Sequence, residues 1–468
     1  MSSKVDYDVI VVGGGGAGMI AALAASEGDA RVLLVESEKR LGGSTALSAG
    51  IIYAGATSVQ RSAGIVGDTA EAMFNYCMMV HQYRADAALI RRFCEGGAET
   101  IDYLISHGVE FDAERTYAGG LEPGGMRRSH RPKGSGAGVA AALDAAISRR
   151  AIDVALSTRV EGLLVDNGEV RGIVADGAEV TAGAVVIATG GFGANSQLVA
   201  KLYPDAVAAG GDWLWYFGSN GSRGDGIVMA EQAGAAITGA NRGLIAITPG
   251  FDRDNEVFHP PWLTLINTNG RRFVLEGMPY GLMQRAFLDQ PGHKGFAVID
   301  ETSKSNARAN PAYAGLMAQN WTAENIDRLV GEGRIIKADT VEELASKIGC
   351  PPARLQITFD QYNRDCDAGR DRAYNRDPQF MHPLRTAPFY AAEMRPAILA
   401  ATFAGIDIDP DARALGPDGR PIRGLYAAGE TTSSMGELYV GGGNAVGNAM
   451  VFGRIAGINA ARSALGVA

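Results

Sequence analysis

Cysteine, histidine and clustered positive charge are all scarce in this sequence, and each shortage excludes a class of protein. The 468 residues include four cysteines, and none has the C-x-x-C spacing typical of iron–sulfur, zinc or c-type haem sites. The six histidines show no metal-ligand spacing either, so the sequence predicts no metal site. Acidic and basic residues are interspersed and the net charge is −9, which argues against nucleic acid as a partner.

Long apolar runs are also missing. No run of about 18 apolar residues indicates a membrane span, and the N-terminal segment lacks the charged and apolar regions of a signal peptide. We therefore expect a cytoplasmic protein without a membrane span. The hydrophobic content of 46% supports a packed core, and the length favours two domains or one domain with a large insertion.

Glycine, by contrast, is abundant, with 63 residues that fall in short clusters between apolar runs. The first cluster lies in YDVIVVGGGGAGMIAALAASEG, which predicts a buried strand at residues 7–12 and a helix from about residue 16. A second strand is predicted at residues 31–36. The junction fits the G-x-G-x-x-G pattern of a dinucleotide-binding turn. The residues predicted to bind the nucleotide are Gly13, Gly15, Gly18 and, at the end of the second strand, Glu36.

The segments that follow favour a flavin over a nicotinamide cofactor. Residues 41–50, LGGSTALSAG, are small and polar where a nicotinamide-binding domain usually continues into another αβ unit. Residues 160–195 have the pattern of a β-meander, with tight turns at Asn167-Gly168 and Asp176-Gly177. The meander ends in VVIATGG, which predicts a buried strand that returns to the nucleotide.

A third glycine cluster, GELYVGGGNAVGNAM at residues 436–450, predicts a helix that begins near Asn444. The free amides and the positive dipole end of such a helix suit an anion. We expect Gly447, Gly453 and Gly457 to let this helix approach the strands closely, because glycine has no side chain.

The order of these segments, closed by GLYAAGE at residues 424–430, resembles the two-part FAD domain of the fumarate reductase and 3-ketosteroid dehydrogenase flavoprotein superfamily. RSHRPKGSGAG, SRGDGIVMAEQAGAAIT and INTNGRRFVLE resemble further segments of that superfamily, so the resemblance covers most of the chain. It implies an α/β fold in which a Rossmann-type FAD-binding domain with a β-meander is interrupted by an α+β cap, or substrate, domain. The implied FAD-binding domain comprises residues 1–245 and 392–468, and the cap comprises residues 246–391.

The resemblance also implies non-covalent FAD and adds residues to its site. Glu430 would hold the ribityl hydroxyls, and the amides at the helix entry would stabilise the negative charge of the reduced flavin ring. Besides the four residues of the nucleotide motif, the predicted cofactor-binding residues are Gly43, Ser44, Ala188, Gly190, Gly429, Glu430, Gly442, Asn444 and Ala445.

The fumarate reductase branch of the superfamily grips two carboxylates with arginines and histidines, and one arginine also delivers a proton. Local alignment places Tyr280 and Val440 at two arginine positions, and Ala246 and Ala401 near the two histidine positions. A dianion is costly to desolvate without cationic partners. The resemblance therefore argues against fumarate as the substrate.

The same positions resemble the 3-ketosteroid dehydrogenase branch, which APFYA at residues 387–391 also matches. The resemblance implies that the Tyr439 hydroxyl and the Gly443 backbone N–H hold a ketone oxygen. It also implies that Tyr280 is the catalytic base. Val440 stands where that branch has a proline.

A tyrosine base requires help from its surroundings. An unperturbed phenol has a pKa of about 10, so the base needs a lowered pKa or a relay for its proton. A second tyrosine could meet this need, and Tyr117 and Tyr390 are both candidates.

These residues predict an FAD-dependent dehydrogenase that introduces a C–C double bond next to the ketone of a small apolar, 3-ketosteroid-like substrate. A proton leaves the α-carbon, a hydride leaves the β-carbon for flavin N5, and two donors on the ketone oxygen stabilise the enolate. The sequence indicates no particular electron acceptor or donor. One alternative is an enone or enoate reductase that runs the reverse reaction. Another is a fumarate reductase-like flavoprotein subunit or electron carrier without a small-molecule substrate of its own.

Overall fold

The chain divides into two compact units in the computed structural model, which describes residues 5–251, 259–305 and 321–467. The predicted cap lies within the second unit, and its residues 252–258 and 306–320 are outside the described residues. The first unit comprises Met1–Pro204, Gly218–Leu244 and Ala400–Ala468, and the second comprises Asp205–Phe217 and Ile245–Leu399.

The described residues form strands and helices along the whole chain. The strands are β1 (Tyr7–Val12), β2 (Val32–Val35), β3 (Ile52–Tyr53), β4 (Phe111–Tyr117), β5 (Ser129–Pro132), β6 (Ile152–Ala155), β7 (Val160–Asp166), β8 (Glu169–Ala175), β9 (Ala178–Ile187), β10 (Trp215–Tyr216), β11 (Ile237–Thr238), β12 (Gly243–Thr248), β13 (Thr264–Asn267), β14 (Gly295–Asp300), β15 (Ile336–Ala338), β16 (Phe389–Thr402), β17 (Gly405–Ile406), β18 (Arg413–Leu415) and β19 (Pro421–Ala427). The helices are α1 (Gly16–Ser26), α2 (Gly43–Leu47), α3 (Ser58–Ser62), α4 (Ala70–Val80), α5 (Ala87–Ser106), α6 (Ser135–Ile147), α7 (Ser196–Leu202), α8 (Pro204–Gly210), α9 (Asp225–Gln232), α10 (Tyr280–Leu288), α11 (Glu301–Ser305), α12 (Ala323–Gly331), α13 (Val341–Ile348), α14 (Pro352–Asp367) and α15 (Asn444–Leu465).

A mostly parallel sheet forms the core of the first unit, in the strand order β18-β19-β9-β1-β2-β6. Its central strand, β1, pairs in parallel with β2 and with β9. Residues 9–12 of β1 are all buried, because both faces of a parallel sheet are covered. The predicted strand at 7–12 and the helix from residue 16 are confirmed, and β2 occupies Val32–Val35 of the predicted 31–36.

The predicted meander is confirmed as the antiparallel strands β7, β8 and β9. Both of its turns have two residues with positive φ, at Asn167-Gly168 and Asp176-Gly177, as in the tight turns that match strand twist. Strand β9 belongs to the meander and to the parallel sheet, where β19 pairs with its other edge. The meander therefore leads the chain back to the glycine turn after β1.

Helix α15 begins at Asn444, as predicted, and packs against α1. A Cβ on Gly453 would lie 2.5 Å from a carbonyl oxygen of α1, and a Cβ on Gly457 would lie 2.2 Å from another. Gly447 alone of the three predicted glycines approaches a strand, since its Cβ would lie 2.7 Å from the Tyr53 carbonyl oxygen of β3. The expectation that all three face strands was wrong for Gly453 and Gly457, which bring two helices together instead.

The second unit has a mixed sheet built on the long strand β16. Strands β14 and β15 pair with β16 in antiparallel orientation, and β10 pairs with it in parallel. Apolar side chains such as Phe287 and Phe359 fill the core clusters of this unit. The predicted α/β fold class is confirmed. Within the described parts of the chain, no helix combines the length and apolarity that a membrane crossing requires.

Candidate active site

The glycine turn after β1 has the shape that a dinucleotide pyrophosphate requires. Gly13 has a φ of +104°, and a Cβ there would lie 2.5 Å from the Ala188 carbonyl oxygen. A Cβ on Gly18 would lie 1.8 Å from the Gly13 carbonyl oxygen, so only glycine allows α1 to pack this closely on the turn. A Cβ on Gly15 would meet no atom within 4 Å. The turn is therefore crowded on its protein side and open at Gly15, at the N-terminus of α1, and helix N-termini are common binding positions for phosphate groups.

Glu36 follows β2 and is buried against the same turn. Its carboxylate accepts hydrogen bonds from the backbone N–H groups of Gly14 at 2.6 Å and Glu38 at 2.8 Å. An ionised carboxylate can accept about four hydrogen bonds. Glu36 is thus fixed in position and retains acceptor capacity for the ribose hydroxyls that the sequence assigns to it.

The next predicted cofactor residues lie on the loops beside this turn. Gly43 begins α2 with a φ of +48°, and Ser44 Oγ accepts the backbone N–H of Ser219 at 3.0 Å. Ala188 directly follows β9, and its N–H donates to the Val12 carbonyl oxygen at 2.8 Å. Gly190 follows with a φ of +74°. Loops that follow neighbouring parallel strands lie at the carboxyl edge of the sheet, which is the usual ligand-binding edge.

Gly429 and Glu430 form a short turn after β19. Gly429 has a φ of +79°, and a Cβ there would lie 2.9 Å from the Ala17 side chain of α1. The Glu430 Oε1 atom accepts hydrogen bonds from the backbone N–H and the hydroxyl of Thr402, both at 2.9 Å. Burial raises the pKa of this carboxyl. Thr402 therefore fixes one oxygen of Glu430, and the other oxygen accepts no hydrogen bond from the described residues.

The amides at the entry of α15 are only partly available to a ligand. Gly442 N–H donates to the Gly119 carbonyl oxygen at 3.0 Å, and Asn444 N–H donates to the Gly441 carbonyl oxygen at 3.1 Å. Ala445 N–H donates to the Tyr439 hydroxyl oxygen at 3.4 Å. The Gly443 N–H, on a residue with a φ of +94°, has no acceptor among the described residues. The helix entry thus offers Gly443 N–H as its unoccupied donor, at the positive end of the helix dipole.

Tyr439 is buried, with 7% of its surface exposed. The next residue, Val440, is also buried, and its carbonyl oxygen accepts the Tyr76 hydroxyl at 2.8 Å. Tyr76 in turn accepts the backbone N–H of Leu121 at 2.9 Å. The backbone on the C-terminal side of Tyr439 is therefore anchored to α4.

A histidine that the sequence did not single out anchors the other side of Tyr439. His81 lies at the C-terminal end of α4 with 1% of its surface exposed, and its Nδ1 atom accepts the backbone N–H groups of Glu437 and Leu438, each at 3.2 Å. Burial, assisted by the positive charge of Arg242, lowers the pKa of His81 to about 4. The partners are 356 residues apart in the sequence, so no local pattern could have revealed the contact.

The two tyrosines proposed to assist the base both stay protonated near neutral pH. Burial raises the pKa of Tyr117 to about 12, and the nearby Tyr439 acts in the same direction. Burial likewise raises the pKa of Tyr390 to about 12, and its hydroxyl donates to the Glu301 carboxylate at 2.5 Å. Each could pass a proton on through its hydroxyl, but neither carries a charge. Tyr117 contacts the helix entry, since a Cβ on Gly442 would lie 2.6 Å from its hydroxyl oxygen.

Tyr280, the predicted base, is the first residue of α10 in the second unit and is half-buried. A buried network of charged side chains holds the segment before it. Arg272 contacts Glu276 at 2.9 Å and Asp371 at 2.8 Å, and Arg376 also binds Glu276. Such paired buried charges fix the local geometry, because separating them would leave an uncompensated charge.

The positions aligned with the fumarate-binding residues are apolar where the structure describes them. Ala246 on β12 is fully buried, and Ala401 on β16 is 4% exposed. Two cations contact the segment before Tyr439, where Arg242 lies 2.7 Å and Arg84 3.5 Å from Glu437 carboxylate oxygens. Among the described residues, no group of three potential ligands could hold a metal ion.

A parallel sheet with a crowded glycine turn, a buried glutamate after its second strand, a meander and a second helix entry near residue 444 is the arrangement that the sequence predicts for a flavin-binding protein. The FAD binding domain family matches residues 8–446, and the chain belongs to this family. The predicted superfamily is thereby confirmed, and FAD is the cofactor that the family assigns. Non-covalent attachment stays a prediction.

Relatives of this chain include both reductases and a steroid dehydrogenase. NADH:fumarate oxidoreductase of Klebsiella pneumoniae is 32% identical over 476 residues, which cover 98% of this chain and 48% of the relative. Fumarate reductase (cytochrome) of Shewanella frigidimarina is 31% identical over 97% of this chain and 77% of its own length. The structure of 3-ketosteroid-Δ4-(5α)-dehydrogenase from Rhodococcus jostii RHA1 in complex with 4-androstene-3,17-dione has a TM-score of 0.80 and 27% identity, with 98% of each chain covered.

These relatives differ in length as well as in activity. The chain spans about half the length of the Klebsiella protein and nearly the whole of the Rhodococcus structure. They place the chain in the flavin oxidoreductase superfamily that includes fumarate reductases and 3-ketosteroid dehydrogenases. Because their activities differ, these relatives do not specify one substrate.

Proposed function

We propose that this protein is an FAD-dependent dehydrogenase that introduces a C–C double bond beside the ketone of an uncharged, 3-ketosteroid-like substrate. The observation that carries the proposal is the pairing of the buried Tyr439 hydroxyl with the N-terminus of α15, where Gly443 N–H is unoccupied by the described residues. A hydroxyl and an amide of this kind can donate to one ketone oxygen. The Rhodococcus relative, solved with a 3-ketosteroid, supports the same substrate class.

In this proposal, Tyr439 and Gly443 stabilise the negative charge that develops on the ketone oxygen. The Tyr439 hydroxyl oxygen accepts a hydrogen bond from Ala445, and a hydroxyl can donate as well as accept; in the proposal its O–H donates to the ketone when substrate binds. Two such donors, held in place before the reaction, lower the barrier to enolate formation. The neighbouring Val440 adds no charge, which suits a neutral ligand.

Tyr280 is the proposed base, and it removes the proton from the carbon next to the ketone. Bound FAD supplies the hydride acceptor, so that one proton and one hydride leave the substrate as the double bond forms. The buried ion pairs of Arg272 and Glu276 position the chain just before Tyr280. A rigid support of this kind keeps a catalytic group aligned.

The second candidate is an enoate or fumarate-type reductase, which the two fumarate reductase relatives favour by sequence identity. This candidate requires cations for the substrate carboxylates. Ala246, Ala401, Val440 and Tyr280 provide none at the aligned positions, and Arg242 and Arg84 both lie against the Glu437 carboxylate. We therefore place the dicarboxylate reductase second.

A panel of substrates under anaerobic conditions separates the two candidates. Oxidised holoenzyme is mixed with 4-androstene-3,17-dione or with saturated 3-ketosteroids, and flavin bleaching is recorded. Separately, enzyme with a reduced viologen dye is offered fumarate and acrylate. Bleaching by a ketosteroid without dye oxidation by either acid supports the proposal. Rapid turnover of fumarate, with no bleaching by any ketone, would establish the reductase instead.

A further inference from the structure

We propose that His81 is a positioning residue for Tyr439, and that its Nδ1 atom holds the tyrosine hydroxyl in line with the substrate ketone through the backbone of Glu437 and Leu438. The inference rests on the proposed function of Tyr439. The position of the Tyr439 hydroxyl would then depend on His81, a residue at the C-terminal end of α4 and far from Tyr439 in the sequence.

The imidazole contacts the segment before Tyr439 in two ways. Its Nδ1 atom accepts two successive backbone N–H groups, from Glu437 and Leu438, each at 3.2 Å. The ring also lies against Gly436, because a Cβ on that glycine would be 2.8 Å from the His81 Cε1 atom. Gly436 has a φ of +81°, which favours glycine. The imidazole ring therefore fixes the orientation of the Glu437 and Leu438 amides and the distance between Gly436 and the ring.

The same segment is held by charge. The Glu437 carboxylate lies 2.7 Å from Arg242 and 3.5 Å from Arg84, and the backbone N–H of the same residue donates to His81. On the other side of Tyr439, the Tyr76 hydroxyl binds the Val440 carbonyl oxygen at 2.8 Å. The backbone is thus held on both sides of Tyr439, by Tyr76 of α4 and by His81 at the C-terminal end of α4. His81 accepts two backbone hydrogen bonds, whereas Tyr76 donates one to this segment.

The Nδ1 atom can accept these hydrogen bonds only while it carries no proton. This condition requires a neutral ring with its proton on Nε2. Burial and the positive charge of Arg242 both keep His81 neutral near pH 7. The other charged groups at this segment are Arg84 and Arg242, and both pair with the Glu437 carboxylate.

Loss of the His81 hydrogen bonds should lower the reaction rate by displacing the Tyr439 hydroxyl from the ketone oxygen. A donor of the oxyanion-hole type acts at about 2.7–3.1 Å from the developing charge, and a displacement of about 1 Å can cost on the order of 100-fold in rate. A His81 variant still has the Tyr439 hydroxyl, although its position can shift. We therefore expect a rate defect smaller than that of removing the hydroxyl.

The test compares His81→Leu, which removes the acceptor, with His81→Asn, whose side-chain oxygen can occupy a position close to Nδ1. Flavin reduction of holoenzyme by 4-androstene-3,17-dione, or by the ketosteroid from the panel that bleaches it, is followed by stopped flow. We expect His81→Leu to slow reduction about tenfold and His81→Asn to stay within about threefold of the parent. His107→Leu is the matched control, because His107 also caps a helix but its Nδ1 atom binds Tyr103 of its own helix at 2.8 Å.

The decisive measurement is the same substitution in a Tyr439→Phe background. If His81 acts through the Tyr439 hydroxyl, then His81→Leu should change the rate there by less than about twofold. An equal loss in both backgrounds would mean that His81 is only structural, which overturns the inference and leaves the proposed function standing. If Tyr439→Phe alone leaves the rate unchanged, or no ketone bleaches the flavin, the proposed function has failed and the inference falls with it.

Amide hydrogen exchange gives a readout that does not depend on turnover. In the parent, the N–H groups of Glu437 and Leu438 are bonded to His81 and should exchange slowly. Exchange in a peptide spanning residues 434–440 should accelerate in His81→Leu and stay slow in His81→Asn and His107→Leu. Unchanged exchange in His81→Leu would contradict the proposed anchor.

Discussion

The Tyr439 hydroxyl oxygen accepts the backbone N–H of Ala445, a residue in the first turn of the C-terminal helix, at 3.4 Å. This contact joins the side chain to the positive end of the helix dipole. Electron density on the phenol oxygen is stabilised there, which makes its O–H a stronger donor. The tyrosine and the glycines beside it therefore work as one unit, in which the helix entry orients and polarises the hydroxyl.

Tyr439→Phe should slow substrate-dependent flavin reduction by about 10² to 10³, the usual effect of removing one oxyanion-hole donor. The phenylalanine ring fills nearly the same buried volume, so the FAD content per chain should stay unchanged. Stopped-flow reduction and flavin release by acid measure the two quantities. A rate within about threefold of the parent would make Tyr439 a packing residue only.

Tyr280→Phe should also slow flavin reduction, for a different reason. This change removes the proton acceptor, so the alkaline rise in rate that a phenol base produces should disappear. Rates of reduction from pH 6 to about pH 10 reveal the difference, since the deprotonated, active fraction of a base rises as the pH passes through its pKa. Retention of the parent's pH profile in Tyr280→Phe would assign the base to another group.

Gly15→Ala should weaken FAD binding while leaving the fold intact. The added methyl group meets no protein atom within 4 Å, so it would occupy the space where the pyrophosphate approaches the backbone. We expect the FAD dissociation constant to rise about tenfold or more, equivalent to about 1.4 kcal/mol. Gly162→Ala is the matched control, because its Cβ is equally unobstructed and lies on the meander. Equal FAD affinities in the two variants would show that Gly15 does not face the cofactor.

His81 should make the protein lose stability as the pH falls from about 6.5 to 4. Its folded pKa of about 4 lies below the usual value of 6.5, so the unfolded chain binds the proton more tightly in this interval. The stabilisation is complete above pH 6.5 and decreases on acidification, by up to about 3 kcal/mol. Urea unfolding at several pH values should show a shallower loss in His81→Asn than in the parent. Parallel curves would indicate that His81 titrates normally in the folded state.

The nucleotide-binding half of the fold could be predicted from the sequence because its signals are local. A continuous apolar run followed by the glycine turn located β1 and α1, and the paired turn residues located the meander. Each of these elements is determined by neighbours within about ten residues, where propensity and pattern act directly. Helix α15 was predicted for the same reason, since its glycine entry precedes a regular apolar pattern.

The rest depends on contacts between distant parts of the chain. The face of α15 that carries Gly453 and Gly457 was assigned to strands, but only the folded chain shows that α1 lies there. His81 had no motif, because its function as an acceptor comes from burial and from amides 356 residues away. The amides of Gly442 and Asn444 looked free in a sequence pattern and are bonded to carbonyl oxygens in the fold.

The packing of α1 against α15 has a consequence for protein synthesis. The ribosome completes α1 at residue 26 and begins α15 only at residue 444. At a synthesis rate of about 5–20 residues per second, about 20 to 80 s pass between the completion of α1 and the start of α15. During that interval the face of α1 that packs against α15 stays uncovered, although residues 16–25 are all buried in the finished protein. The nascent chain should therefore need chaperone protection, because α1 can pack against α15 only after α15 has left the ribosome.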